Sequence, residues 1–186
     1  MLLFPPTIYE IMSATQVTVP ESEKAVGGHL REVGLTFHFF NQLPMIIADN
    51  IGNSLADAFK PLGITDWNEV FWVAHPGNWA IMDDAIESKL GLLPEKLSTA
   101  RHVFAEYGNM QSATVYIVMD EVRKRSVVEG RATTGDGLQW GGALWVWTGA
   151  QHRDCRAPQL TTLVAVVILL VRYGCAAMLV LPLPCE

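Results

Sequence analysis

Two side chains stand where they can do chemistry. His75 ends the run "VFWVAH", whose β-branched and aromatic residues read as a buried strand, and Pro76-Gly77 and a helical pattern follow at once. Asn109, in "EYGNMQSA", follows Gly108 at the junction of two helical segments. In open α/β sheets, sites form outside the carboxyl ends of strands, which is where this histidine falls. An imidazole N–H and a side-chain amide N–H are both good donors to an oxyanion developing on a carbonyl. Plainer roles stand beside this one: Asn109 as a helix N-cap, and His75 as a turn residue.

Other chemistries lack their signatures. There is no Gly-x-Ser-x-Gly elbow, no Gly-x-x-x-x-Gly-Lys-Ser/Thr loop and no Gly-x-Gly-x-x-Gly. "GRATTGDG" has glycines but no lysine, and reads as a turn rather than a phosphate cradle. The acidic pairs Asp83-Asp84 and Asp120-Glu121 fall on helical segments, where a solvated face explains them better than an acid/base dyad. Cys155, Cys175 and Cys185 form no CxxC pair, and no His/Cys cluster has metal spacing, so no metal site is expected.

The elements that must position His75 and Asn109 are well punctuated. "YEIMSATQVTV" reads as a strand, "PESEKAVGG" as a polar loop and "HLREVGLTFHFF" as a second strand. Ile47, Ile51, Leu55 and Phe59 recur every fourth residue in a helix that closes at Gly63. "DWNEVFWVA" is a capped entry into a buried strand, and "NWAIMDDAIESKLG" a helix ending at Gly91. "LPEKLSTARHVFAEYG" is a helix with Pro94 in its first turn and a stop at Gly108. "MQSATVYIVMDEVRKRSVVEG" is a further helix, "TTGDG" a turn, and "LQWG" starts a strand. Strands alternating with helices indicate an α/β layered domain.

A chain of 186 residues is long enough for one domain with a substantial core. Its net charge of −6 and lack of a Lys/Arg-rich face argue against a nucleic-acid surface. Cysteines are confined to the C-terminal part, which suits a reduced, cytoplasmic setting. The start, "MLLFPPTIYE", lacks the basic and apolar regions of a signal peptide, and residues 1–8 read as a leader. The C-terminal part departs from this order: "GALWVWTGAQHRDCRAPQ" has no clear period, and "LTTLVAVVILLVRYGCAAMLVLPLP" is nearly all apolar. That run reaches the roughly 20 apolar residues of a spanning helix. Against that, Arg172 near its middle would cost about 2.5–3.5 kcal/mol.

From Tyr9 to Gly141 the chain resembles the C-terminal half of plant type III polyketide synthases, the chalcone synthase family. The resemblance is carried by "GGHLREVGLTFH", "KPLGITDWNEVFWVAHPG", "KLSTARHVFAEYGNMQSA" and "TTGDGLQWG". "HPGNWAIMD" and "NMQSATV" are most similar to the curcuminoid-forming branch; the commoner chalcone synthase pattern has Gly-Gly-Pro at Gly77-Asn78-Trp79. The resemblance implies a thiolase-like α/β fold, of which this is the C-terminal half: a mixed sheet with layered helices. It implies acyl transfer with decarboxylative condensation of malonyl-CoA onto an aromatic acyl-CoA, by homodimers that need no cofactor.

Residue by residue, the resemblance implies that His75 and Asn109 bind the thioester carbonyl and hold the enolate and tetrahedral oxyanions. His75 would also keep a cysteine as thiolate. Among substrate-binding positions, Phe37 matches a gatekeeping phenylalanine and Gly28 a cavity-wall glycine. Ala80 matches a position whose backbone touches the pantetheine arm. Gln111 replaces the serine usual in chalcone synthases, so substrate choice is not carried over from that enzyme.

Two departures matter. The family's nucleophilic cysteine belongs to its N-terminal half, so this chain is expected to be inactive alone. After "LQWG" the family continues Val-Leu-Phe-Gly-Phe-Gly-Pro-Gly-Leu and ends in a strand with Glu-Thr-Val-Val-Leu, whereas here stands "GALWVWTGAQHRDCRAPQL". Shifting the codon frame by one base turns Trp145-Val146 and Trp147-Thr148 each into an obligatory glycine. Arg153 to Ala157 then permit Glu-Thr-Val-Val-Leu. Residues 142–186 are therefore expected to be a divergent, out-of-frame tail, and the sheet to lack its family ending. The alternatives are a non-catalytic partner of a full-length synthase and a protein tethered to a membrane by the tail.

Overall fold

The computed structural model describes residues 8–20, 22, 25–131, 138–151 and 159–173. The turn expected at "TTGDG" and all three cysteines lie outside the described residues. Six strands form one sheet: β1 (Tyr9–Thr18), β2 (Val26–Arg31), β3 (Gly34–Phe39), β4 (Phe71–Ala74), β5 (Trp140–Gln151) and β6 (Gln159–Tyr173). Its order is β3-β2-β6-β5-β4, with β1 pairing β6 outside this path. Only β4 and β5 run parallel among the paired strands, so the sheet is mixed.

Helices cover both faces. α1 (Leu43–Phe59) buries Ile47, Ile51, Leu55 and Phe59, the stripe expected from their four-residue spacing. Beyond it, Gly63 takes a left-handed conformation, as its place after the helix predicts. A π-helix spans Ile81–Ser88, and α2 (Ser98–Tyr107) and α3 (Ala113–Val128) follow. Neighbouring glycines on β5 distinguish the two faces of the sheet. A Cβ on Gly142 would meet Trp72 and Phe59 of α1, whereas one on Gly141 would lie 2.3 Å from the Phe71 ring. On that second face Tyr9 packs against Phe71 and donates to the Met119 carbonyl of α3 at 2.8 Å. Residues on β4 therefore alternate between helical layers, and all four are buried.

Two elements differ from expectation. "HLREVGLTFHFF" is not one strand. It is part of the β2–β3 hairpin, with Arg31 paired to Gly34 and Glu32-Val33 as the two-residue loop. Val33 is 87% exposed there, and Gly34 has φ 109°, a conformation open to glycine at little cost. The apolar run expected to lie outside the sheet instead includes β6, which pairs β1, β2 and β5. Val, Ile and Leu in sequence suit a strand with neighbours on both edges. Among the described residues, no helix is long and apolar enough to cross a membrane.

Candidate active site

The parallel β4–β5 ladder continues one residue beyond β4, because the His75 N–H donates to the Leu144 carbonyl at 2.8 Å. His75 is thereby held in the sheet's hydrogen bonding at the carboxyl end of the strand. The residue is 9% exposed, and its Nδ1 is buried without a hydrogen-bond partner among the described residues. Burial disfavours the charged imidazolium and pushes the pKa down to about 4, so the ring is neutral near pH 7.

The chain after His75 turns at once. Gly77 has φ 59°, and a Cβ there would sit 2.9 Å from Ile81 Cδ1. Asn78 then opens the helix: its Oδ1 accepts the Ile81 N–H at 2.9 Å and its carbonyl the Met82 N–H at 3.2 Å. Ala80 occupies the N-cap position of the π-helix that follows. The aromatic ring of Trp79 meets Phe104 of α2 edge-on.

Asn109 is brought to the same turn. Its Nδ2 donates to the Gly77 carbonyl at 2.9 Å, and its Oδ1 accepts the Gln111 N–H at 2.8 Å. The second bond is an Asx turn; Ser112, not Asn109, holds the N-cap position of α3. Gln111 adopts φ 58°, uncommon for a residue with a side chain. Thr114 braces this turn from beneath: its buried hydroxyl accepts the Met110 N–H at 2.9 Å. Asn109 is thus fixed at both ends of its amide within two residues of His75, while its second Nδ2 hydrogen is left to donate elsewhere.

Four of the expected site residues therefore gather in two adjoining turns: His75, Ala80, Asn109 and Gln111. The other two form a separate pair, Gly28 on β2 opposite Phe37 on β3. Register separates the two groups. Gly28 lies opposite Leu160 on β6, whereas the level of Ala74 and Leu144 meets Ile168, about 26 Å further along at ~3.3 Å per residue. Phe37 is exposed and stacks on Phe39. Asn78 and Thr114 join the site without having been expected from the sequence. The first was discoverable, since an asparagine three residues before Ile81 has N-cap spacing.

The acidic pairs carry no dyad. Asp83 and Glu87 of the π-helix both pair with Arg101 of α2, and Asp120 pairs with Arg123 and Lys124. Among the described residues, no group of three or more His, Cys, Asp or Glu could hold a metal ion.

Comparison with known proteins bears on the same segments. The family model for chalcone and stilbene synthases, C-terminal domain, matches residues 10–150, running past the departure expected at Gly141. The chain is similar to curcumin synthase 1 of Curcuma longa, 75% identical over 134 residues, which cover 72% of this chain and 34% of that protein. It spans about a third of the length of that relative. With the helical layers and the two turns that carry His75 and Asn109 falling inside the matched region, the chain belongs to the chalcone and stilbene synthase family of type III polyketide synthases, through that family's C-terminal domain.

Proposed function

We propose that this chain supplies the carbonyl-polarising part of a site for decarboxylative condensation of malonyl-CoA onto an aromatic acyl-CoA. The observation that supports the reading is the Asn109–Gly77 hydrogen bond, which ties the Asn109 amide to the turn two residues after the neutral, buried imidazole of His75. The malonyl thioester oxygen would accept from both donors. The C–C bond to the carboxylate breaks, CO2 leaves, and its electron pair moves onto the carbonyl as an enolate held by the same donors. The enolate carbon then attacks the acyl thioester, whose carbon–sulfur bond breaks to release a thiolate. In this reading the Ala80 backbone touches the pantetheine arm, Gln111 bears on substrate choice, Phe37 gates the mouth of the cavity and Gly28 forms part of its wall. The matched region, residues 10–150, contains no cysteine, so the nucleophile must come from outside it; a cytoplasmic setting belongs to the same proposal.

Incubating the chain with malonyl-CoA and an aromatic acyl-CoA should give no condensed product. Supplying a cysteine-bearing N-terminal half of a curcuminoid-type synthase should release CO2 from malonyl-CoA. Asn109→Ala or His75→Ala should then reduce that release by roughly 100-fold or more. Product from the chain alone would overturn the requirement for an outside nucleophile, and unchanged CO2 release in both variants would overturn the donor roles.

A second reading, a non-catalytic partner of a full-length synthase in a family taken to act as homodimers, is favoured by one observation. Phe37, Phe39, Phe40 and Met45 are all exposed at and beside β3. Failure of the chain to be retained by an immobilised intact synthase would exclude it.

Residues from about Gly142 onward are proposed to be out-of-frame translation of the family ending. A β-branched apolar run forms a strand whatever its origin, so the pairing of β6 is compatible with this history. Coding nucleotides across Trp140–Leu160 that cannot spell the family ending would refute it.

A further inference from the structure

We infer that Trp79 is a positioning residue for this site: its ring, set edge-on against Phe104, fixes the spacing between the turns that carry His75 and Asn109. The inference rests on the donor-pair reading above. Trp79 is 47% exposed, so burial alone does not hold its ring where it lies. Its contact with Phe104 has ring centroids 5.1 Å apart and planes at 84°, the edge-to-face arrangement that aromatic quadrupoles favour.

Both partners are coupled directly to the two turns. Trp79 lies between Asn78, whose amide caps the following helix, and that helix itself. The Phe104 carbonyl accepts the Gly108 N–H at 2.9 Å, closing α2 one residue before Asn109. One turn earlier on α2, Arg101 reaches Asp83 at 2.6 Å and also pairs with Glu87. Trp79, Asp83 and Glu87 follow at four-residue steps along one face, so the helix after His75 is fastened to α2 at two levels.

The ionic level is partly exposed, is screened by salt and lies farther from the site. The aromatic level is insensitive to salt and lies next to it. A side-chain amide hydrogen bond keeps its N···O distance within about 2.7–3.2 Å and weakens steeply once its angle falls below about 120°. The separation set by Trp79 therefore decides whether Asn109 keeps its hold on the Gly77 carbonyl.

The test uses the whole 186-residue chain, isotopically labelled, with solvent exchange of the Asn109 side-chain amide protons read by NMR. Trp79→Ala should speed that exchange at least tenfold, and Phe104→Leu should do the same. Trp79→Phe, which keeps an aromatic edge, should stay within about twofold of the parent. Backbone amides of Val115 and Val118 in α3 should not change. Unaltered Asn109 exchange in both disruptive variants would overturn the inference. So would equal acceleration throughout α3, or loss of the fold in Trp79→Ala, either of which would assign the ring to the domain at large. The exchange measurement needs no turnover, so its outcome is separate from that of the CO2-release test of the donor roles.

Discussion

A neutral histidine donates through one ring nitrogen and accepts through the other, and at His75 Nδ1 is buried without a partner among the described residues. The same burial gives the residue a pH signature. Its folded pKa of about 4 lies below the ordinary value of 6.5, so the unfolded chain takes up the proton first. Stability should be complete above pH 6.5 and decline as pH falls towards 4, with a ceiling of about 3 kcal/mol from this group. Urea unfolding at pH 7.5, 5.5 and 4 should show that slope in the parent and lose most of it in His75→Gln. Equal slopes in the two proteins would refute the burial argument. At this scale the sequence was informative about residue type and uninformative about state. It placed His75 at the lip of a strand, but desolvation depends on packing that no local pattern encodes. Asn109 was legible as a donor, whereas its partner, a backbone carbonyl, has no letter in the sequence.

Among the elements, punctuation by glycine proved dependable, and the glycines divide into those that need to be glycine and those that do not. Gly141→Ala would drive a Cβ into the Phe71 ring at 2.3 Å and should destabilise by about 3 kcal/mol. Gly52 lies inside α1 with no described residue within 4 Å of the added atom, and Gly52→Ala should stabilise by about 1 kcal/mol. Thermal melts of the two variants should move in opposite directions; a shift of the same sign would discredit the packing picture. Gln111→Gly, which relieves a left-handed side-chain-bearing residue, should stabilise by about 1 kcal/mol while loosening the Asn109 turn. The hairpin was illegible for a definite reason. Its loop, Glu32-Val33, has none of the Asn-Gly or Gly-Gly chemistry that announces a two-residue turn, and only Gly34 hinted at it. The helix after His75 was legible as a helix but not as a π-helix, since apolar spacing does not resolve the two windings.

At the scale of the molecule, the sheet is organised around β6, the element the sequence reading set aside. Val171 is fully buried between Ile11 of β1 and Gly141 of β5. Val171→Asp would strand a charge between those strands, and the chain should fail to fold, appearing as aggregate in sedimentation. Soluble, folded protein would show that β6 is dispensable. The strand escaped notice for a physical reason: the apolar run inside QLTTLVAVVILLVRY fits a central strand or part of a membrane segment, and only pairing distinguishes them.

The rung joining the His75 amide to the Leu144 oxygen has a consequence for inheritance. Every amino acid offers the same carbonyl, so β5 can be overwritten by unrelated letters and still grip the histidine. A gene damaged just upstream of that position would lose the family's wording while the anchor of its most reactive ring persisted.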